Sequence, residues 1–564
     1  MVISFSTGST AIKRLLTYNF LPSKNMTRFL TFLVFFAGFG LSAFGGKDPA
    51  YNARILLIPL DDRPPCLQFT QRMGLIGDAQ VVTPPLELLG RFTTPGQSDK
   101  IITWLQQQDL KSFDAAIIAL DMLAYGGLVG SRVHDVPFEV AIKRLDIVAT
   151  MRKRAPGLKI YGQSVVMRLA PTADRKNGAY REKLAHWAEI SVATDPAAKA
   201  ETAKLEQEIP AEGLADYKQA RSRNLRVNQQ AIDLVRRGII DYLLLTQDDA
   251  KPKGVHIADR ETLITETRRL KLTDKIAVQP GADEVSMLLL ARALNKHATY
   301  SPKVKAVYSS EKLGNTVMPF EDRPLRQTVS YHIKATGSQE VNDERDADVL
   351  YYVFASRFEP GRADSFADEI DAKIKQSKRV IVADIDPKGD VQGGDTPFTM
   401  ALEKRHLLPE LSGYASWNTA GNTIGTALPQ GVIFTLAQAK RMKQSSVANR
   451  IWTAQNWFLI HRVLDDYYFH NLIRAKANQF AKQVGRSSTL MSDETTSQVE
   501  AYCLGLLRQS FDELVTNYEQ KRPGSLQQAV RCTKPIALQF DLPWNRTFEA
   551  MIDFTISCQS VPEN

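Results

Sequence analysis

Asp248 and Asp249 close the apolar run Tyr242–Gln247, and Pro252 and Gly254 follow them. Asp61 and Asp62 close Arg54–Leu60 in the same way, and Asp121 closes Ala115–Leu120. A short apolar run with turn residues behind it reads as a buried parallel strand ending in a loop. In α/β folds the loops at the carboxyl ends of the strands form the site. Carboxyl groups gathered there can divide acid and base work, because crowding and burial push their pKa values apart. Asp61, Asp62, Asp121, Asp248 and Asp249 are therefore the catalytic candidates. The competing expectation for any one adjacent pair is a helix cap and a solvated neighbour.

Other residues at comparable turns suit substrate binding. Arg63 follows the first Asp pair, and Arg168 ends the strand Leu158–Met167. Tyr125 stands beside Gly126, Gly127 and Gly130, which we read as leaving room for a ligand. Asp283 and Glu284 open the apolar helix expected over 286–295, where acids also complement the helix dipole. Trp417 and Asn418 lie at a strand-to-helix turn, and an aromatic face beside amides can hold a sugar ring.

Strand–helix alternation through residue 437 positions these groups. It gives an α/β fold with a mainly parallel sheet. About ten strands are expected where a barrel needs eight, so a distorted (β/α) barrel and two consecutive open-sheet domains both fit. The expected divisions are 46–300, carrying the acidic site, 301–437 as a second α/β portion, and a mainly helical 438–564. Residues 174–237 read as a helical excursion broken at Pro210. The aromatic stripe from Trp452 to Phe469 has the spacing of core. Asp322-Arg-Pro echoes Asp62-Arg-Pro, but no strong internal repeat is read.

The formal charge of +9 falls to +5 once the four cations and no acids of residues 1–45 are set aside. No basic face stands out, which excludes nucleic acid as an expected partner. Arg28, the apolar run Phe29–Phe44 and the small residues behind it form an export signal. The run is short for a membrane span. The expected location is the periplasm or the exterior, with membrane contact only through this segment if it stays uncleaved. Cys503, Cys532 and Cys558 allow a C-terminal disulfide of open pairing.

Neither P-loop nor G-x-G-x-x-G is present, and the eight His show no zinc spacing, so no cofactor or metal is expected. The stretches Leu57–Pro64, Asp121–Gly127, Gln247–Asp249, Pro280–Glu284, Glu321–Pro324, Gly413–Asn422 and Leu542–Glu549 together resemble the bacterial family of domain of unknown function 4127. The likeness runs over roughly 54–550 and implies no activity. The residues themselves favour an exported glycoside hydrolase acting through clustered Asp carboxyls. The alternatives are a metal-dependent phosphatase-like hydrolase, for which Asp384-x-Asp386 is the motif, and a non-catalytic binder of cell-wall saccharide.

Overall fold

The computed structural model describes residues 51–173, 177–355, 361–385, 393–485, 487–519 and 530–560. The export-signal segment and Asp386 lie outside the described residues. Among the described residues no helix is long and apolar enough to cross a membrane.

Six apolar runs build the first sheet. They are β1 (Ala53–Ile58), β2 (Ala79–Val82), β3 (Ala115–Ala119), β4 (Lys159–Val166), β5 (Tyr242–Gln247) and β6 (Ile276–Pro280). All pair in parallel, in the order β2-β1-β3-β4-β5-β6. β3 and β5 are buried at every position because helices cover both faces. Alternate residues of β5 serve different cores: Tyr242 and Leu244 face one, Leu243 and Leu245 the other.

A second parallel sheet follows, made of β7 (Lys303–Tyr308), β8 (Gln339–Glu340), β9 (Val349–Phe354), β10 (Val380–Asp384) and β11 (Gly413–Ala415). Its order is β11-β10-β9-β7-β8. Both sheets are open, so the architecture is two open sheets and not a barrel. In each sheet the first strand pairs with the second on one side and the third on the other, as in a doubly wound fold. The Asp-Arg-Pro echo falls at the same point of both windings. Asp62–Pro64 lies between β1 and the helix Gln68–Ile76, and Asp322–Pro324 between β7 and the helix Leu325–Ala335. The repeat that sequence comparison missed is one of topology.

The excursion between β4 and β5 forms three helices, Arg181–Ile190, Pro196–Glu208 and Ala211–Arg236. Asp195 caps the second by accepting from Ala198 N, with Pro196 pre-set at the first helical position. Trp187, Leu205, Ile209 and Tyr217 give the excursion a small core of its own. Beyond the second sheet the chain turns helical over Ser445–Val463 and Asp493–Glu519. The aromatic stripe is buried there, as its spacing predicts. Two antiparallel pairs follow: β12 (Val530–Cys532) with β15 (Cys558–Ser560), and β13 (Ile536–Asp541) with β14 (Met551–Thr555). A Cys532–Cys558 disulfide closes the first pair, while Cys66 and Cys503 are free and buried.

Candidate functional site

Arg63 organises the carboxyl edge of the first sheet. Pro64 and Pro65 end regular structure after β1 and turn its guanidinium inward. Its Nη2 donates to Asp61 Oδ2 at 2.7 Å and to Asp283 Oδ1, beyond β6, at 2.6 Å. Its Nη1 lies 3.3 Å from Glu549 Oε1, and the Trp544 ring covers its carbon at 4.6 Å. Burial alone would weaken this cation; Asp283, Asp61 and Glu549 outweigh it and hold Arg63 charged. Burial likewise pushes the Asp283 carboxyl up to about 7 against the pull of Arg63. Arg63 and Asp283, read from the sequence as substrate ligands, are thus spent on each other. Asp61, Cys66 and Asp283 offer ligand atoms within 4.8 Å of one another. Arg63 already supplies the positive charge there, and burial raises the Cys66 thiol well above its usual range, so the trio is a poor metal site.

The Asp pair beyond β5 divides. Asp248 is buried, and its Oδ2 accepts from Arg132 Nη2 at 2.5 Å. Asp249 takes a left-handed backbone, with φ of 40°, and its half-exposed carboxylate meets Arg168 Nη1 at 2.5 Å. Short polar side chains tolerate that conformation, and it turns the second Asp away from the first. Arg132 forms the inner wall of a cleft of about 690 Å³. Pro171, Glu212, Asp216, Met491 and Asn545 also line it, so the helical excursion and the C-terminal region both contribute to its lining.

Among the described residues no ion pair joins Asp62 to an arginine, and it stays partly accessible. Trp544 Nε1 donates to its Oδ1 at 2.8 Å. Burial and the neighbouring Asp61 push it up to about 7, although Trp544 and Arg63 act the other way. A group that loses its proton near neutrality suits general acid work. Asp121 is also pushed up to about 7 by burial. Its surroundings differ: it is 2 % exposed and its Oδ2 accepts from Val165 N at 2.9 Å, which ties β3 to β4. Asp121, expected to be catalytic, is thus enclosed and engaged with the β4 backbone.

The structure corrects four further readings. Tyr125 is buried under the Arg223 guanidinium, which stands 4.1 Å from its ring centre. The glycines beside it serve backbone packing, not a ligand. A Cβ at Gly126 would come within 2.5 Å of Gly96 O, and one at Gly127 within 2.8 Å of Leu60 O. Trp417 lies in the core with its ring against Phe69 and its Nε1 donating to Thr426 Oγ1, so no face remains for a sugar. Asn418 is buried and accepts from Thr419 N. Glu284 is wholly enclosed and bonded to His332. A strand-end position shows that a residue is near the edge, but not which side of the turn it faces.

Arg132, Trp544 and Glu549 are the partners that sequence reasoning did not place. Arg132 closes the Gly-rich stretch, and Trp544 and Glu549 belong to the motif Leu542–Glu549, so each had a local signal. What was missing was the contact across the chain.

No curated protein shows significant similarity to the chain. Among solved structures, a T882A variant of Rhizobium etli pyruvate carboxylase, crystallised without acetyl coenzyme A, aligns at 10 % identity over 82 % of this chain and 36 % of that one. Its TM-score of 0.16 is too low to carry an argument. The family model described as protein of unknown function DUF4127 matches residues 55–553. With that match spanning both sheets and the segment that supplies Trp544 and Glu549, the chain belongs to the DUF4127 family.

Proposed function

We propose that the protein is an exported hydrolase of saccharides, with its acid–base chemistry at the carboxyl edge of the first sheet. One contrast between two carboxyls carries this reading. Among the described residues Asp62 has no arginine in an ion pair and its pKa is pushed up to about 7, whereas Asp249 is a half-exposed carboxylate fixed by Arg168. Acetal cleavage needs such a division: a proton donor for the leaving oxygen, and an ionised group to activate water or stabilise the developing cation. Asp62 takes the first role and Asp249 the second, with Arg168 orienting Asp249 through their ion pair. The neighbouring Asp248 is held by Arg132, which lines the cleft.

The adjoining cleft mixes carboxylates, amides and apolar surface, as Asp216, Asn545 and Met491 illustrate, which suits hydroxyl-rich ligands with flat apolar faces. The Cys532–Cys558 disulfide accords with an oxidising compartment, and so with the export signal in the sequence.

Incubation of the purified protein with soluble cell-wall oligosaccharides and aryl glycosides, with products identified by mass, tests the proposal. Release of sugar by the wild type and its loss in Asp62→Asn support it. Saturable binding without turnover would make the protein a saccharide binder instead. Magnesium-dependent phosphate release from phosphate esters would favour the phosphatase reading.

A further inference from the structure

The turn that borders the cleft carries a residue its backbone does not favour. Arg91 N donates to Thr94 O at 2.9 Å and Thr94 N donates back to Arg91 O at 2.9 Å, so Phe92 and Thr93 form a two-residue hairpin turn. Phe92 has a left-handed backbone, with φ of 50°, and Thr93 does not. Glycine is the usual occupant of such a first turn position, and a bulky apolar residue there is an outlier. The turn is also fixed in place. A Cβ at Gly90 would come within 2.4 Å of Thr94 O, so the chain folds back tightly on itself. Arg91 Nε donates to Pro543 O at 2.7 Å and its Nη2 to Asn545 Oδ1, which ties the turn to the segment that carries Trp544. Backbone strain held by its surroundings in this way clusters at active sites and ligand clamps.

A second observation is where the ring goes. Phe92 is partly exposed and lines the same cleft of about 690 Å³ as Arg132. The Trp544 ring backs it, with ring centres 4.9 Å apart and planes 39° from parallel, and Trp544 Nε1 in turn donates to Asp62. One aromatic ring therefore separates Phe92 from the acid. Arg546 stands 5.3 Å from the Phe92 ring centre and is held by its ion pair with Glu549. Glu212, Asp216 and Asn545 line the cleft as well and offer acceptors for hydroxyl groups. A pyranose ring matches such a mixture, with C–H groups on its faces and hydroxyls around its edge.

We propose that Phe92 is the platform on which a pyranose ring of the substrate rests, its axial C–H groups on the aromatic face and its hydroxyls towards Glu212, Asp216 and Asn545. The class favoured is a chain of pyranoses with equatorial hydroxyls, since an axial hydroxyl pressed on the ring would lose its hydrogen bonds to water. Phe92 has this role only under the saccharide reading above, and there it selects the ring while Asp62 supplies the proton.

Titration calorimetry of the full chain with cellohexaose and with chitohexaose, both chains of equatorially substituted pyranoses, tests the platform. The wild type should bind at least one of them saturably. Phe92→Gly suits the backbone, and Phe92→Leu keeps apolar bulk without a flat face; each should bind about tenfold more weakly or worse. Phe92→Tyr, which restores the flat face, should stay within about threefold of the wild type. Where a probe is hydrolysed, the loss should fall on KM and spare kcat, because the stacked ring is held alike before and during bond cleavage. Thermal unfolding checks that each variant folds, and if Phe92→Leu does not, Phe92→Gly decides. Folded Gly and Leu variants that bind as tightly as the wild type would overturn the platform and leave the saccharide reading standing. A Phe92→Tyr protein as weak as Phe92→Leu would overturn it too. A wild type with no affinity for either hexasaccharide would overturn both the platform and the saccharide reading beneath it.

Discussion

Arg63 Nη2 and Asp283 Oδ1 meet at 2.6 Å across 220 positions of chain. The contact joins the turn after the first sheet's opening strand to the turn after its last. Asp61 and Glu549 complete the cage, so one guanidinium answers three buried carboxylates. Removing the cation should therefore cost more than removing any one anion.

Arg63→Met should destabilise the protein by about 3–5 kcal/mol, because buried charges would lose their partner. Asp283→Asn, which leaves Arg63 with Asp61 and Glu549, should cost about 1–3 kcal/mol. Urea unfolding of the two variants checks the order; equal costs would show that the cage is not shared.

Asp121 gives a stability prediction with a definite sign. Its folded pKa is raised from 3.8 to about 7, so the fold favours the protonated form. Its contribution is complete below pH 4 and is lost as pH rises towards 7. Asp121→Asn removes that dependence. Wild type should lose on the order of 1–3 kcal/mol more than the variant between pH 4 and 7.5, read from denaturant midpoints. Parallel stability curves would show that Asp121 is ionised throughout.

Asp62 is placed as a general acid that must carry its proton, so kcat/KM should fall as pH rises through about 7. Asp62→Asn should lower turnover by about 100-fold or more and remove this alkaline limb, while thermal unfolding stays unchanged. A variant that keeps both the rate and the limb would assign the proton to another group.

Chelation separates the acid edge from metal chemistry. No step at Asp62 or Asp249 is assigned to an ion, so turnover measured well below the melting temperature should survive EDTA. Loss of turnover with the fold intact would favour the phosphatase reading.

The sequence revealed the strands well, because apolar runs such as Tyr242–Gln247 are buried on both faces and end at turn residues. It also brought Asp61, Asp248 and Asp283 to one edge, since parallel strands end together. It did not show which carboxyls remain available. That depends on Arg132, Trp544 and Glu549, which arrive from distant segments. Trp417 shows the limit from the other side: its polar neighbours suggested a surface turn, but Phe69 and Thr426 enclose it. The repeated winding was legible as three letters, Asp-Arg-Pro, and became evident only when both copies followed a first strand.

Asp249→Asn tests the central claim most directly, because the change is nearly isosteric and removes only the charge that Arg168 holds. Turnover on the saccharide substrate should fall by about 100- to 10,000-fold with an unchanged melting temperature. A fully active Asp249→Asn protein would contradict the account and place the chemistry elsewhere.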